Sequence, residues 1–189
     1  MRIIGIDPGT TITGIGIVDC MNSQTELIYH TSVNLNKKDS LPERLKIIYD
    51  RCLECIVKYK PDEFAIETAF YGKNIQSTLK LGQARGVAII AALNSSLKVS
   101  EYSPREIKKS ITGNGASSKE QVQYMVKTIL SLKNISMTVD SSDAIAIALC
   151  HLHSVQNYSG KNGSKMKAGN SWKSYAEKNP DRIISNKLK

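Results

Sequence analysis

Alternating apolar and polar positions along the first 33 residues predict three consecutive β-strands. Residues 2–7, 13–19 and 26–33 are short runs rich in apolar and β-branched residues, and Gly-rich or polar turns separate them. Strands joined by such short turns pair with their neighbours in an antiparallel fashion. The chain is therefore expected to open with a three-stranded meander.

The next part of the chain alternates between helical and extended patterns. Apolar residues recur every three or four positions over residues 42–60, and Pro42 suits the first turn of a helix. Residues 62–67 and 98–102 are short apolar runs typical of strands. Between them, residues 75–95 form a long pattern rich in Gly and Ala, which predicts a helix that can approach the sheet or another subunit closely.

Two capping boxes mark the starts of further helices. The sequences "SPRE" at 103–106 and "SSKE" at 117–120 each place a Ser three residues before a Glu, and a Gly-rich turn lies between the two helices. A last helix is expected to begin near Asp140. Three strands, then helices alternating with two more strands, predict an α/β fold with a mixed five-stranded sheet flanked by helices.

Four carboxylates stand at the ends of these predicted elements. Asp7 and Glu67 each close an apolar strand, and Asp140 and Asp143 share one face of the last helix. If they converge, their mutual repulsion requires cations, and hard oxygen ligands favour Mg²⁺ or Mn²⁺. A pair of such ions is the usual device for hydrolysing a phosphodiester. Convergence of the four acids would therefore suit metal-dependent hydrolysis of a phosphodiester.

Other interpretations of the same residues stay open at this point. Asp140 could simply cap its helix, Asp7 could close a turn with its own side chain, and Glu67 could lie at the surface. The sequence "GIDPGTT" also looks like the first phosphate motif of the actin, sugar-kinase and chaperone ATPases. Those enzymes need two such lobes, and 189 residues have room for one.

Charge favours a polyanionic partner. The chain has 41% hydrophobic residues, which is ordinary for a globular protein. Its net charge of +9 favours nucleic acid over an acidic membrane as partner, with solubility as the alternative role of the charge. Residues 157–189 hold eight basic and two acidic residues and therefore two-thirds of the excess. Their Gly/Ser/Asn/Lys composition predicts a flexible basic tail, with no role assigned to Trp172, after a nuclease domain over residues 1–156.

The cysteines and histidines are expected to be structural. Cys52 and Cys55 form a lone C-x2-C on the apolar face of a predicted helix, and "CHLH" at 150–153 lacks the spacing of a helical zinc site. With no signal peptide and no membrane-spanning run, we expect a cytoplasmic protein with reduced thiols.

Several segments together resemble one family. "GIDPGT", "LKLGQARGVAI", "EYSPREIKKSITGNGASSKEQV" and "DSSDAIAIA" follow the order found in the RuvC-type Holliday junction resolvases, and the resemblance covers residues 1–156. It implies an RNase H-like fold and a homodimer that cuts four-way DNA junctions at two symmetry-related strands during recombination and repair. It also implies Mg²⁺, two ions per site, and a branch-migration helicase complex of the RuvA and RuvB type as partner.

The resemblance extends to single positions. The family's four metal-binding acids fall on Asp7, Glu67, Asp140 and Asp143. Basic residues near the scissile phosphate fall on Lys108 and Lys119, and an aromatic residue near the junction centre falls on Phe70. Further contacts with the DNA backbone are expected from Lys73, Arg85, Arg105 and Lys109. Two rival functions share many of these features: an RNase H-like nuclease acting on RNA:DNA hybrids, and a junction-binding module without catalysis.

Overall fold

The computed structural model describes residues 1–22, 24–68, 74–132 and 135–163, with side chains as far as residue 156. Residues 1–154 form one compact unit. Of a second unit, 155–189, only residues 155–163 are described, and they continue the last helix. The predicted boundary between a nuclease domain and a basic tail at residue 156 therefore stays a prediction.

The described chain contains five strands and five helices in the order expected from the sequence. The strands are β1 (Arg2–Asp7), β2 (Ile12–Met21), β3 (Gln24–Asn34), β4 (Glu63–Glu67) and β5 (Lys98–Tyr102). The helices are α1 (Leu41–Tyr59), α2 (Ile75–Asn94), α3 (Pro104–Thr112), α4 (Lys119–Ile129) and α5 (Val139–Gly163). None of the described helices combines the length and apolar character needed to cross a bilayer.

The five strands form one mixed sheet in the order β3-β2-β1-β4-β5. The first three strands pair in an antiparallel meander, while β4 and β5 run parallel to β1. A parallel neighbour requires a crossover connection, which α1 and α2 supply. The predicted α/β fold with a mixed five-stranded sheet is confirmed.

Helices cover both faces of this sheet. Successive residues of a strand point to opposite faces, so Ile3 belongs to the core beneath α3, α4 and α5, whereas Ile4 belongs to the core beneath α1 and α2. Cys52 and Cys55 are free, buried thiols in the second core. Their predicted structural role is confirmed.

Glycines in β1 and β2 form a seat for α5. A Cβ atom at Gly14 would overlap the carbonyl oxygen of Asp140, and one at Gly5 would overlap that of Ala144. Gly16 lies in the same way against Ile145. Because only glycine leaves this space, the helix backbone lies directly on the sheet. The seat fixes where the first turns of α5, and their acids, stand.

The start of α5 differs from the sequence-based interpretation. The helix begins at Val139, and the hydroxyl of Thr138 accepts a hydrogen bond of 3.3 Å from the backbone N–H of Ser141. Thr138 is therefore the residue that caps the helix. The alternative in which Asp140 serves as the cap is wrong, which leaves the Asp140 carboxylate free for another role.

Candidate active site

The sheet topology brings two acids to one edge. β1 and β4 are parallel neighbours, with Ile6 opposite Ile66, so Asp7 and Glu67 follow side by side at their carboxyl ends. Asp7 also pairs with Gly14, the residue on which the start of α5 lies. The sheet and the seated helix thus place acids from three separate segments in one region.

Five of the predicted site residues line a single cleft of about 240 Å³. Asp7 and Glu67 come from the strands, Asp143 comes from α5, and Lys108 and Lys119 come from α3 and α4. The remaining wall is formed by Pro104, Ile107 and Val122. Asp140 is outside this lining, but its charge acts on Asp7, so it lies close to the cleft.

Lys119 carries the positive charge nearest to the acids. It is the first residue of α4, which Ser118 caps, and its Nζ lies 2.8 Å from Oδ2 of Asp143. This hydrogen bond raises the pKa of Lys119, and the charges of Asp7 and Glu67 act in the same direction. A cation at the start of a helix opposes the helix dipole, so its position is explained by the acids.

Burial and mutual repulsion raise the pKa values of two of the cleft acids. Burial raises the pKa of Asp7 to about 6, and the charges of Asp143 and Asp140 add to this against the opposing effect of Lys119. Burial likewise raises the pKa of Glu67 to about 7, with the charge of Asp7 as the next cause. Such raised values are typical of functional sites.

The alternative role of Asp7 as a turn residue receives no support. Within the described residues, no hydrogen bond to its carboxylate is found, and a turn-closing acid would have a lowered pKa. The turn is instead closed by Thr13, whose hydroxyl donates to the carbonyl of Gly9 at 2.8 Å. The carboxylate of Asp7 is therefore available to a ligand.

The donor set fits a divalent cation by its chemistry. The cleft presents carboxylate oxygens, which hard cations prefer, and their mutual repulsion is relieved only in part by Lys119. In this conformation, no three His, Cys, Asp or Glu side chains of the described residues are close enough together to hold one ion. The charge and the oxygen ligands of the cleft thus fit a divalent cation. In this conformation Lys119 compensates part of the negative charge of the acids.

The remaining predicted DNA-binding residues are distributed over the molecule. Arg105 and Lys109 are exposed on α3, next to the cleft residue Lys108. Arg85 on α2 forms an ion pair with Glu101 of β5. Phe70 and Lys73 lie outside the described residues.

Sequence reasoning missed the groups that hold the Asp7 turn. Nη1 of Arg44, on α1, donates to the carbonyl of Thr10 at 2.7 Å, and the N–H of Leu35 donates to that of Thr11 at 2.8 Å. Neither contact has a local sequence signature, because both join segments more than 20 residues apart. The glycine seat was missed as well: Gly14 lies against Asp140 and Ala144 of α5, and Gly16 lies against Ile145.

His151 has a structural role, as expected. The side chain is 2% exposed, its Nε2–H donates to Glu63 at 2.8 Å, and its Nδ1 accepts from the hydroxyl of Tyr102 at 2.7 Å. Burial lowers the pKa of His151 although Glu63 opposes this effect, so the ring is neutral. Both ring nitrogens are occupied by protein partners, which excludes this histidine as a metal ligand in this conformation.

Comparisons with known proteins match this chain to one family. The family model for the crossover junction endodeoxyribonuclease RuvC matches residues 3–151. A RuvC of Chloroherpeton thalassium is 44% identical over 185 residues, covering 97% of this chain and all of the relative.

Among solved structures, that of Thermus thermophilus RuvC has a TM-score of 0.77 at 31% identity, covering 84% of this chain and 97% of that one. The T. thermophilus RuvC complex with a Holliday junction substrate has a TM-score of 0.76 at 30% identity, covering 83% and 96%. The expected RNase H-like fold and the family resemblance are confirmed. The chain belongs to the RuvC family of crossover junction endodeoxyribonucleases.

Proposed function

We propose that this protein resolves four-way DNA junctions by metal-dependent hydrolysis of two strands. The observation that carries the proposal is the cleft that joins Asp7, Glu67 and Asp143 to two lysines. The relatives are named crossover junction endodeoxyribonucleases, and a similar structure is described as bound to a Holliday junction. The enzyme is a phosphodiester hydrolase of DNA.

Each group in the cleft has a task in this reaction. Enzymes of this family depend on divalent metal ions, and we assign Mg²⁺, two ions per site, to Asp7, Glu67, Asp140 and Asp143. Bound there, such ions supply Lewis acidity at the phosphate oxygens and charge compensation for the acids. The ammonium groups of Lys108 and Lys119 hold the scissile phosphate in place. Water then attacks phosphorus, the P–O3′ bond breaks, and a 5′-phosphate and a 3′-hydroxyl remain.

The active protein is a homodimer joined through α2. Four large apolar residues of this helix are between 50% and 74% exposed: Ile75, Leu79, Ile90 and Leu93. Gly82 and Gly86 have open space at the position of a Cβ. These six positions follow one another in steps of three and four residues, so they form a single stripe along the helix. An apolar stripe with glycines at its centre suits close packing against a second copy of α2.

Junction cleavage is the direct test of the function. The full chain is incubated with a synthetic four-way junction, a linear duplex of the same arms and an RNA:DNA hybrid, each with and without Mg²⁺. Symmetric, Mg²⁺-dependent nicks in the junction, with ligatable ends, are expected. Preferred cutting of the hybrid would support the RNase H-like alternative, and junction binding without any cutting would support a non-catalytic module.

The dimer is tested by sedimentation equilibrium. A Leu79→Glu variant places a charge in the α2 stripe and is expected to sediment as a monomer that cuts no paired strands. Val57→Glu is the matched control, because Val57 is 65% exposed on α1. A Leu79→Glu protein that remains dimeric would rule out this interface.

A further inference from the structure

The loop between β3 and α1 contains two lysines that neither the motifs nor the resemblance singled out. Lys37 and Lys38 are both exposed, and within the described part of the chain neither takes part in an ion pair. Exposed charges without partners are common on protein surfaces. An argument that these two lysines have a function therefore depends on where they lie relative to the acid cleft.

The loop lies at the same end of the sheet as the acid cleft. β3 is antiparallel to β2, which is antiparallel to β1, so the carboxyl ends of β3 and β1 point the same way. Leu35, the first residue of the loop, bonds to the carbonyl of Thr11 in the turn after Asp7. The order of the sheet puts β3 two strands from β1, a distance of about 10 Å. The loop that carries the lysines therefore lies on the β3 side of the site.

The loop is ordered in a way that presents the two ammonium groups. The side chain of Asn36 accepts from the N–H of Lys38 at 3.1 Å and donates to the carboxylate of Asp39 at 3.0 Å. The carboxylate of Glu43 accepts from the N–H of Ser40 at 2.7 Å. The carboxylates of Asp39 and Glu43 are thus held by hydrogen bonds within this segment, whereas the side chains of Lys37 and Lys38 form none with the described residues.

The opposite flank of the site is also basic. β5 lies two strands from β1 on the other side, and α3, which follows β5, carries Lys108 and Lys109. The acid cleft therefore has basic residues of α3 on its β5 side and the loop with Lys37 and Lys38 on its β3 side. A phosphate backbone crossing the end of the sheet would be held on both sides of the strand that is cut.

We propose that Lys37 and Lys38 form a second DNA-backbone contact, on the β3 side of the cleft, that holds one arm of the junction. The ligand is the phosphodiester backbone of duplex DNA, recognised by charge and not by sequence. This inference rests on the proposed junction activity. The amino end of α1, which begins beside the loop, adds a favourable helix dipole.

Counterion release gives a specific readout. Each phosphate contact contributes about 0.9 to the slope of log affinity against log salt. In metal-free buffer, where no cutting occurs, junction affinity is measured between 50 and 200 mM salt. A Lys37→Ala/Lys38→Ala variant is expected to bind about 30-fold more weakly at 50 mM, with a slope shallower by about 2. Its deficit should shrink roughly tenfold at 200 mM.

A matched control removes the same charge from the other end of the sheet. Arg2, at the start of β1, donates to the carbonyl of Tyr59, which places the end of α1 and its Lys58 there. Lys98 starts β5, parallel to β1, at that same end. A Lys58→Ala/Lys98→Ala variant should retain the wild-type slope and bind within about threefold of wild type.

Two further variants keep the test decisive. Lys37→Arg/Lys38→Arg should restore both affinity and slope, and Lys37→Gln/Lys38→Gln should reproduce the alanine result with the bulk of the side chains kept. An unchanged slope in the alanine and glutamine variants would overturn the inference, as would an equal loss in the control. Failure of the wild-type protein to prefer the junction over duplex would instead contradict the proposed function.

Discussion

Carboxylates at the two ends of the central sheet have opposite environments. The ends are named after β1, so the amino end is where β1 begins and the carboxyl end is where it finishes. At the amino end, Asp19 accepts two hydrogen bonds from Arg2, of 2.7 and 3.1 Å, and lies 3.3 Å from the terminal ammonium. Burial alone would raise the pKa of Asp19, but these partners outweigh it and lower the pKa. At the carboxyl end, the pKa of Asp7 is raised to about 6.

The same contrast occurs within one strand. Glu63, at the start of β4, is held by His151 at 2.8 Å and by Lys98 at 3.3 Å. Glu67, four residues later, forms no hydrogen bond and no ion pair with the described residues. Burial raises its pKa to about 7. Acids at the amino end contribute to stability through fixed partners. Acids at the carboxyl end repel one another in a buried place, which costs stability and prepares the site for cations.

The largest expected effect comes from removing one acid of the carboxyl end. Asp7→Asn should lower the single-turnover rate of junction cleavage by about 10³-fold or more at saturating Mg²⁺, because a ligand of the metal is lost. Junction affinity in metal-free buffer should be retained. Cutting near the wild-type rate would show that the raised pKa of Asp7 has no catalytic meaning.

The second effect concerns the seat that joins α5 to this end. Gly14→Ala would force α5 away from the sheet, since the new methyl group overlaps the Asp140 carbonyl. A loss of about 3 kcal/mol in unfolding free energy is expected from overpacking. Cleavage should also fall at temperatures where the protein is fully folded, because Asp140 and Asp143 move with the helix.

Ile15→Val is the matched control for this change. Ile15 is fully buried in the core on the other face, and losing one methylene costs about 1 kcal/mol. The folded control should cut junctions at the wild-type rate. A Gly14→Ala protein that is less stable but equally active would show that the glycine seat does not position the catalytic acids.

The glycine seat also shows where the sequence becomes insufficient. Strand and helix positions follow from local periodicity and capping boxes, so the five strands and the acids at their ends could be predicted. The contact of Gly14 with Asp140 joins residues more than 120 positions apart, and nothing local identifies which helix lies on the glycines. The alternative in which Asp140 caps α5 failed for a related reason, since Thr138, two residues earlier, is an equally good cap.

Ion pairs between residues far apart in the chain could not be predicted from the sequence either. Arg85 is a plausible DNA contact by sequence, yet the fold brings Glu101 to its guanidinium. Lys119 was assigned by resemblance to the site, but its hydrogen bond with Asp143 follows from the packing of α4 against α5. Sequence patterns indicate which residues carry charge, whereas tertiary packing decides which charges meet.

A third effect is the pH dependence of stability without divalent ions. The raised pKa values of Asp7 and Glu67 mean that the folded protein keeps protons that the unfolded chain has lost. The free energy of unfolding therefore falls as the pH rises from about 4 through about 7, and it levels off above that range. Thermal denaturation in chelator at pH 5 to 8 measures this fall.

An Asp7→Asn/Glu67→Gln variant isolates the contribution of the two acids. Its Tm in chelator should exceed that of the wild type at pH 8, and the difference should vanish towards pH 4. Added Mg²⁺ should stabilise the wild type more at pH 8 than at pH 5, and the variant little at either. A Tm difference that is constant with pH would mean that the two acids are not coupled to folding in this way.

The smallest effect is expected at the amino end, from Asp19→Asn. The lowered pKa of Asp19 gives stability that is present above about pH 4 and lost as the pH falls through the folded value. The variant should lose about 1–2 kcal/mol of unfolding free energy at pH 7, and less near pH 3, as measured by denaturant titration. Its cleavage rate should equal that of the wild type.

Asp19→Asn and Asp7→Asn remove the same charge from the two ends of the sheet, so each is the control for the other. If partners fix one end and repulsion prepares the other, the first variant is less stable and active, whereas the second is at least as stable in chelator and inactive. A metal-free Asp7→Asn protein that is less stable at pH 8 than the wild type would contradict this division. The charge of Asp7 would then stabilise the fold. A carboxylate buried beside other acids can do so only with a further hydrogen-bond donor or positive charge, which the cleft residues do not provide.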